Sequence, residues 1–134
     1  MTDQIGFTVQ LKTDFDTAIQ RVTDALKVEG FGVLTEIDVK ETLKKKINVD
    51  FRPYKILGAC NPHLSHRALT ADSQIGLLLP CNVVVAQGEE EGTINVSLVD
   101  PTSMLGVVTN PDVEPVAKEA RAKLERVAES LKNN

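Results

Sequence analysis

Every cysteine and histidine of the chain lies within Tyr54–Val85, and each cysteine is followed by asparagine: Cys60-Asn61-Pro62-His63 and Cys81-Asn82. Asn61-Pro62 has the form of a helix start, with asparagine as N-cap and proline at the first helical position. Cys60 then sits beside a helix N-terminus, where exposed N–H groups favour a thiolate over a thiol. His63 and Arg67 follow within about two helical turns. This makes Cys60 a candidate nucleophile or redox-sensing thiol, oriented by Asn61 and assisted by His63. The competing reading is packing, because free cysteine is among the most buried residue types.

Cys81 precedes an apolar run and follows Pro80, a setting that favours packing. Asn82 is harder to place: an amide buried in such a run must find hydrogen-bond partners, so it is expected to face a polar pocket or pin a loop. His63 and His66 are spaced to share a helix face. With Cys60, and with Cys81 if it lies alongside, they could form a Cys/His set for zinc, although no Cys-x-x-Cys or His-Glu-x-x-His spacing is present. Neither a glycine-rich phosphate fingerprint nor a serine nucleophile elbow occurs. No complete catalytic set emerges, and the sequence assigns no reaction.

The elements that must position these residues can be read in order. Ile5, Phe7, Val9 and Leu11 alternate with polar or small residues, which predicts a strand with one buried face. Thr13 as N-cap, helical spacing from Phe15 to Leu26 and a closing Gly30 predict a helix. A strand over residues 31–37 leads to Asp38 and Glu41, which resemble a capping box for a thin surface helix to about Lys46. Tyr54 to Ala59 forms a third strand, and the Asn61-Pro62 helix follows. The run Cys81 to Ala86 is apolar without alternation, so a strand covered on both faces is expected. After a hairpin turn at Gln87 to Gly92, Ile94, Val96 and Leu98 mark another strand. Asp100 to Asp112, with Pro101, Gly106 and Pro111, reads as a long loop. A last helix to about Lys132 buries Val116, Ala120, Leu124, Val127 and Leu131, with Glu114/Lys118 and Glu119/Lys123 paired outside. This order predicts a single α+β domain, mainly an antiparallel sheet with helices packed mainly on one face.

Three segments carry a resemblance: Phe31-Gly-Val-Leu-Thr-Glu-Ile-Asp38, Tyr54-Lys-Ile-Leu-Gly-Ala-Cys-Asn-Pro62 and Gly76-Leu-Leu-Leu-Pro-Cys-Asn-Val-Val-Val85. Together they resemble the small bacterial and archaeal family catalogued as domain of unknown function 302, over nearly the whole chain. The resemblance implies a TATA-binding-protein-like β-α-β-sheet-α topology and a homodimer. It implies no activity, and no catalytic residue is carried over.

Composition bounds the function classes. With 134 residues the chain fits one domain, and one Tyr, four Phe and no Trp leave the core to aliphatic side chains. A net charge of −4, without a basic stripe carrying stacking aromatics, argues against nucleic acid. Lys44 to Lys46 read as a solvated helix face. No signal-like start and no apolar run of about 20 residues is present, so a cytoplasmic protein with free thiols and no membrane partner is expected. The reading that follows is a binding or interaction module, with a small-molecule pocket near Cys60 and Asn82. A thiol-dependent enzyme or sensor using Cys60 is the alternative, and a Cys/His metal site a third.

Overall fold

A computed structural model describes residues 5–132. Five strands, β1 (Gly6–Lys12), β2 (Gly32–Asp38), β3 (Tyr54–Cys60), β4 (Cys81–Gln87) and β5 (Thr93–Val99), form one sheet in the order β1-β5-β4-β3-β2. Every neighbouring pair is antiparallel. The helices are α1 (Phe15–Val28), α2 (Val39–Ile47), α3 (Pro62–Ala71), α4 (Pro101–Met104) and α5 (Glu114–Lys132).

Alternation along the strands sorts the side chains into two faces. Val9, Leu11, Leu57, Ala59, Val83, Val85, Ile94, Val96 and Leu98 point inward and form the main core with Ala18, Val22 and Leu26 of α1 and the C-terminal half of α5. The N-terminal half of α5 belongs to a second cluster. There Val113, Val116, Ala117 and Ala120 meet Leu64 and Ala68 of α3, Ile75 and Leu105. The aliphatic core expected from composition is therefore present, but in two parts.

Local chemistry accounts for the helix starts. Asp38 accepts from the Glu41 N–H at 2.9 Å, as the capping signal required, and α2 buries none of its residues. At α1 the cap is Asp14, one residue beyond the expected Thr13; its carboxylate accepts from both the N–H and the hydroxyl of Thr17 at 2.8 Å. A carboxylate reaching two donors is the stronger acceptor. Gly30, at φ +85°, takes the left-handed position that closes α1.

Two expectations need correction. The first concerns β4, which is not covered on both faces: Cys81, Val83 and Val85 are buried, whereas Asn82 is exposed. Its lack of polar alternation comes from Val84, half-buried, and Ala86, buried, which stand on the outer face with Asn82. The second is the loop expected over 100–112, which contains α4 and a 3-10 turn at Leu105–Val107. Asp100, buried to 6% exposure, accepts from the Thr102 N–H and hydroxyl and from Arg121 at 3.0 Å. An Asx cap followed by proline turns the chain into a helix there.

Candidate functional site

β3 and α3 meet at Cys60-Asn61-Pro62, as the sequence predicted. Asn61 is buried and caps α3 by accepting from the Leu64 N–H at 3.3 Å; its Nδ2 donates to the Glu29 carbonyl, also at 3.3 Å. The second bond ties the end of α1 to the start of α3. Gly30 makes room for it, since a Cβ at Gly30 would stand 2.9 Å from the Asn61 amide nitrogen.

Cys60 is half-buried, and its Sγ lies 3.1 Å from the Ser65 Oγ. Ser65 sits one turn into α3 and escaped the sequence reading. The residue five positions after the cysteine, on a helix starting at Pro62, is the signal that would have found it. The hydroxyl can donate to sulfur or accept from it.

Cys81 is a different kind of thiol. It is paired across the sheet with Ala59 and shares that residue's buried side. Burial, reinforced by the nearby Cys60, pushes its pKa up to about 11. A thiol held neutral in this way packs as a small apolar group and is a poor nucleophile.

The remaining predicted residues do not converge on Cys60. His63, His66 and Arg67 are exposed, and Arg67 donates to Glu119 on α5 at 2.7 Å. That hydrogen bond, helped by the charges of Arg67 and Lys123, holds the Glu119 carboxyl below its ordinary value, and the direct contact is with Arg67, across helices. Among the described residues no group of three or more His, Cys, Asp or Glu is gathered to hold a metal. His63, His66 and Cys60 thus do not form the ligand set that their spacing suggested.

The cavity in this region is small. Phe31, Asn61, Ser65, Leu79, Cys81 and Leu105 are among the residues around a space of about 30 Å³, and neither Cys60 nor Asn82 lines it. That is room for about one water, in walls that are mostly apolar. Asn82 faces outward across from Gly58, so its exposure removes the burial that made it puzzling.

The face of the sheet away from the main core can be read from the register. One row crosses it as Ile37, Ile56, Val84, Ser97 and Thr8. Its polar end is joined by a 3.0 Å contact between the Ser97 and Thr8 hydroxyls, and its apolar end lies at β2. Five of the ten exposed large apolar side chains among the described residues, Leu34, Ile37, Ile47, Val49 and Phe51, fall in β2 and the segment that leads from it to β3. No helix among the described residues is long and apolar enough to cross a membrane.

A solved structure described as that of an uncharacterized conserved protein DUF302 from Bacillus stearothermophilus is 34% identical to the chain, with a TM-score of 0.84 over 93% of this chain and 96% of that one. No curated protein matches. The profile named domain of unknown function DUF302 matches residues 7–131. With the profile spanning nearly the full chain and the fold reproduced in a relative, the chain belongs to the DUF302 family.

Proposed function

We propose that the chain is an interaction module which self-associates through the apolar end of its outer sheet face. The observation that carries this reading is the row Ile37–Ile56–Val84 on the side of the sheet away from the main core, together with the exposed Leu34, Ile47, Val49 and Phe51 in the same stretch of chain. Exposed apolar surface marks interaction sites in soluble proteins when it is gathered in one patch, and a two-fold dimer would bury the same patch on both copies. A metabolite-binding role at Cys60 and Asn82 has weaker support, because the neighbouring space holds about one water. Sedimentation equilibrium at micromolar concentration tests the reading. The expected mass is that of two chains, falling to one in an Ile37→Lys/Ile56→Lys variant with an unchanged circular dichroism spectrum. A single-chain mass for the unmodified protein would overturn it.

A second reading rests on Cys60. Its Sγ is within 3.1 Å of a hydroxyl at the first turn of α3, an arrangement that would stabilise a developing thiolate. Under this reading the protein senses oxidants or uses Cys60 as a nucleophile. Alkylation by iodoacetamide at neutral pH should be faster than that of glutathione and should slow in Ser65→Ala. A rate no faster than glutathione's sinks the idea.

A further inference from the structure

The free edge of β1 has an assignable set of spare hydrogen-bonding groups. Asp100 donates its N–H to the Ile5 carbonyl at 2.9 Å, and Thr13 donates to the Gly92 carbonyl at 3.1 Å. Between them the pairs Gly6↔Val99 to Lys12↔Thr93 run without a shift. Antiparallel pairs alternate between bonded and non-bonded, so Phe7, Val9 and Leu11 direct their backbone groups at β5. Gly6, Thr8, Gln10 and Lys12 direct theirs outward. Among the described residues no further strand pairs with them.

The two edges of the sheet are treated differently. β2 has a register shift between Val33 and Thr35, carries Glu36 and Asp38, and runs straight into α2. Bulges and charges of this sort discourage edge pairing. β1 has no bulge or proline, and its one charge is at its last residue, Lys12.

Beside that edge lies a groove of about 490 Å³ between β1 and α5, lined by Phe7, Val9, Ala122, Glu125, Ala128 and Glu129 among others. It occupies the place where the inward side chains of an added strand would lie. The four charged residues that line it, Glu125, Arg126, Glu129 and Lys132, cancel in sign, and Glu129 pairs with Lys132 at 3.7 Å and Arg126 with Glu29 at 3.0 Å. A wall neutralised from within matches an occupant whose inward side chains are uncharged.

Helix α5 also selects between occupants. It packs on β1 itself. A second copy added edge to edge would place its own α5 on the same face beside this one, and two helices need about 8–10 Å between axes, about twice one strand spacing. An extended segment with no helix on that face meets no such collision.

We propose that the β1 edge is a docking site for an extended segment of a partner protein, up to the seven residues of β1, with small apolar side chains at alternate positions. It would add as a sixth strand, with main-chain bonds supplying affinity and the α5 groove reading alternate side chains. This surface is separate from the outer-face patch, and the two readings can fail independently.

The probe is the blocked peptide acetyl-Lys-Val-Thr-Val-Thr-Val-Lys-amide, followed by amide hydrogen exchange on the full chain. Saturating peptide should slow exchange at Gly6, Thr8, Gln10 and Lys12 by about tenfold or more and leave β2 unchanged. The same peptide N-methylated at alternate residues should have no effect. Thr8→Pro removes one outward N–H at a position where an edge strand tolerates proline, and should weaken binding about tenfold. Unchanged exchange at millimolar peptide overturns the proposal, as does equal binding by the N-methylated peptide, which reads out even if Thr8→Pro does not fold. Concentration-dependent protection of the same amides without peptide would assign the edge to a second copy and also overturn it.

Discussion

Arg67 of α3 donates from Nη1 to Oε1 of Glu119 on α5 at 2.7 Å, joining two residues 52 positions apart in sequence. The hydrogen bond is the main reason that the Glu119 carboxyl is held below its ordinary value of 4.5, with the Arg67 charge adding to it. A carboxylate with a lowered folded pKa contributes stability above its unfolded pKa and loses it as pH falls through the folded one. Both side chains are about half exposed, so the contribution is small. Arg67→Ala should return the Glu119 titration toward 4.5, measured by NMR of the side-chain carboxyl. An unmoved midpoint would show that another group sets it.

The two thiols should separate cleanly by reactivity. Cys81 is buried, with a pKa raised to about 11, so at neutral pH iodoacetamide should modify Cys60 and leave Cys81 intact until denaturant is added. Mass spectrometry of peptides checks this. The sign for stability is opposite to that of Glu119. The unfolded chain ionises Cys81 near 9, so the contribution of the neutral thiol is present below that pH and is lost as pH rises toward 11.

Asn61 should show which of its two bonds matters more. Asn61→Ala removes the cap of α3 and the tie to the Glu29 carbonyl, with an expected loss of about 1–2 kcal/mol in urea unfolding. Asn61→Asp keeps an acceptor for Leu64 but sets an oxygen against the Glu29 carbonyl. It should therefore remain clearly less stable than the parent. Parent-like stability would mean that capping alone is the role of this residue.

Gly58 lies on the outer side of β3, between buried Leu57 and Ala59, and is itself closed over by Thr35 and Pro80, both of which a Cβ would meet. Gly58→Ala should cost about 1–3 kcal/mol from overpacking. Adding Thr35→Ala should recover part of it in the same denaturation assay, whereas independent, additive losses would point elsewhere.

What the sequence made legible follows from locality. Asn61-Pro62 and Asp38-x-x-Glu41 are caps whose partners lie within one turn, and alternation in β1 and β5 reports burial residue by residue. The misreadings required tertiary knowledge. The exposure of Asn82 depends on which face α1 and α5 cover. The order at 100–112 depends on Arg121, about 20 residues away, reaching a buried Asp100. Glu119 chose Arg67 on α3 over Lys123 on its own helix, and no spacing rule within α5 could show that. The histidines fared similarly: their spacing put them on one face, but the fold turned that face to solvent.

Helix α5 runs through both apolar clusters, with Val116 to Ala120 in one and Leu124 to Leu131 in the other. It therefore acts as a common spine. The small cap formed by α3, α4 and the 3-10 turns at Ser73–Leu78 and Leu105–Val107 cannot slide over the end of the sheet as a separate body while that helix stays straight. Arg121 fixed to Asp100 and Arg67 fixed to Glu119 add cross-pieces near the point where one cluster gives way to the other. Motion between cap and sheet must then appear as bending of α5 close to Ala120–Leu124, which makes that short stretch the mechanical joint of the molecule.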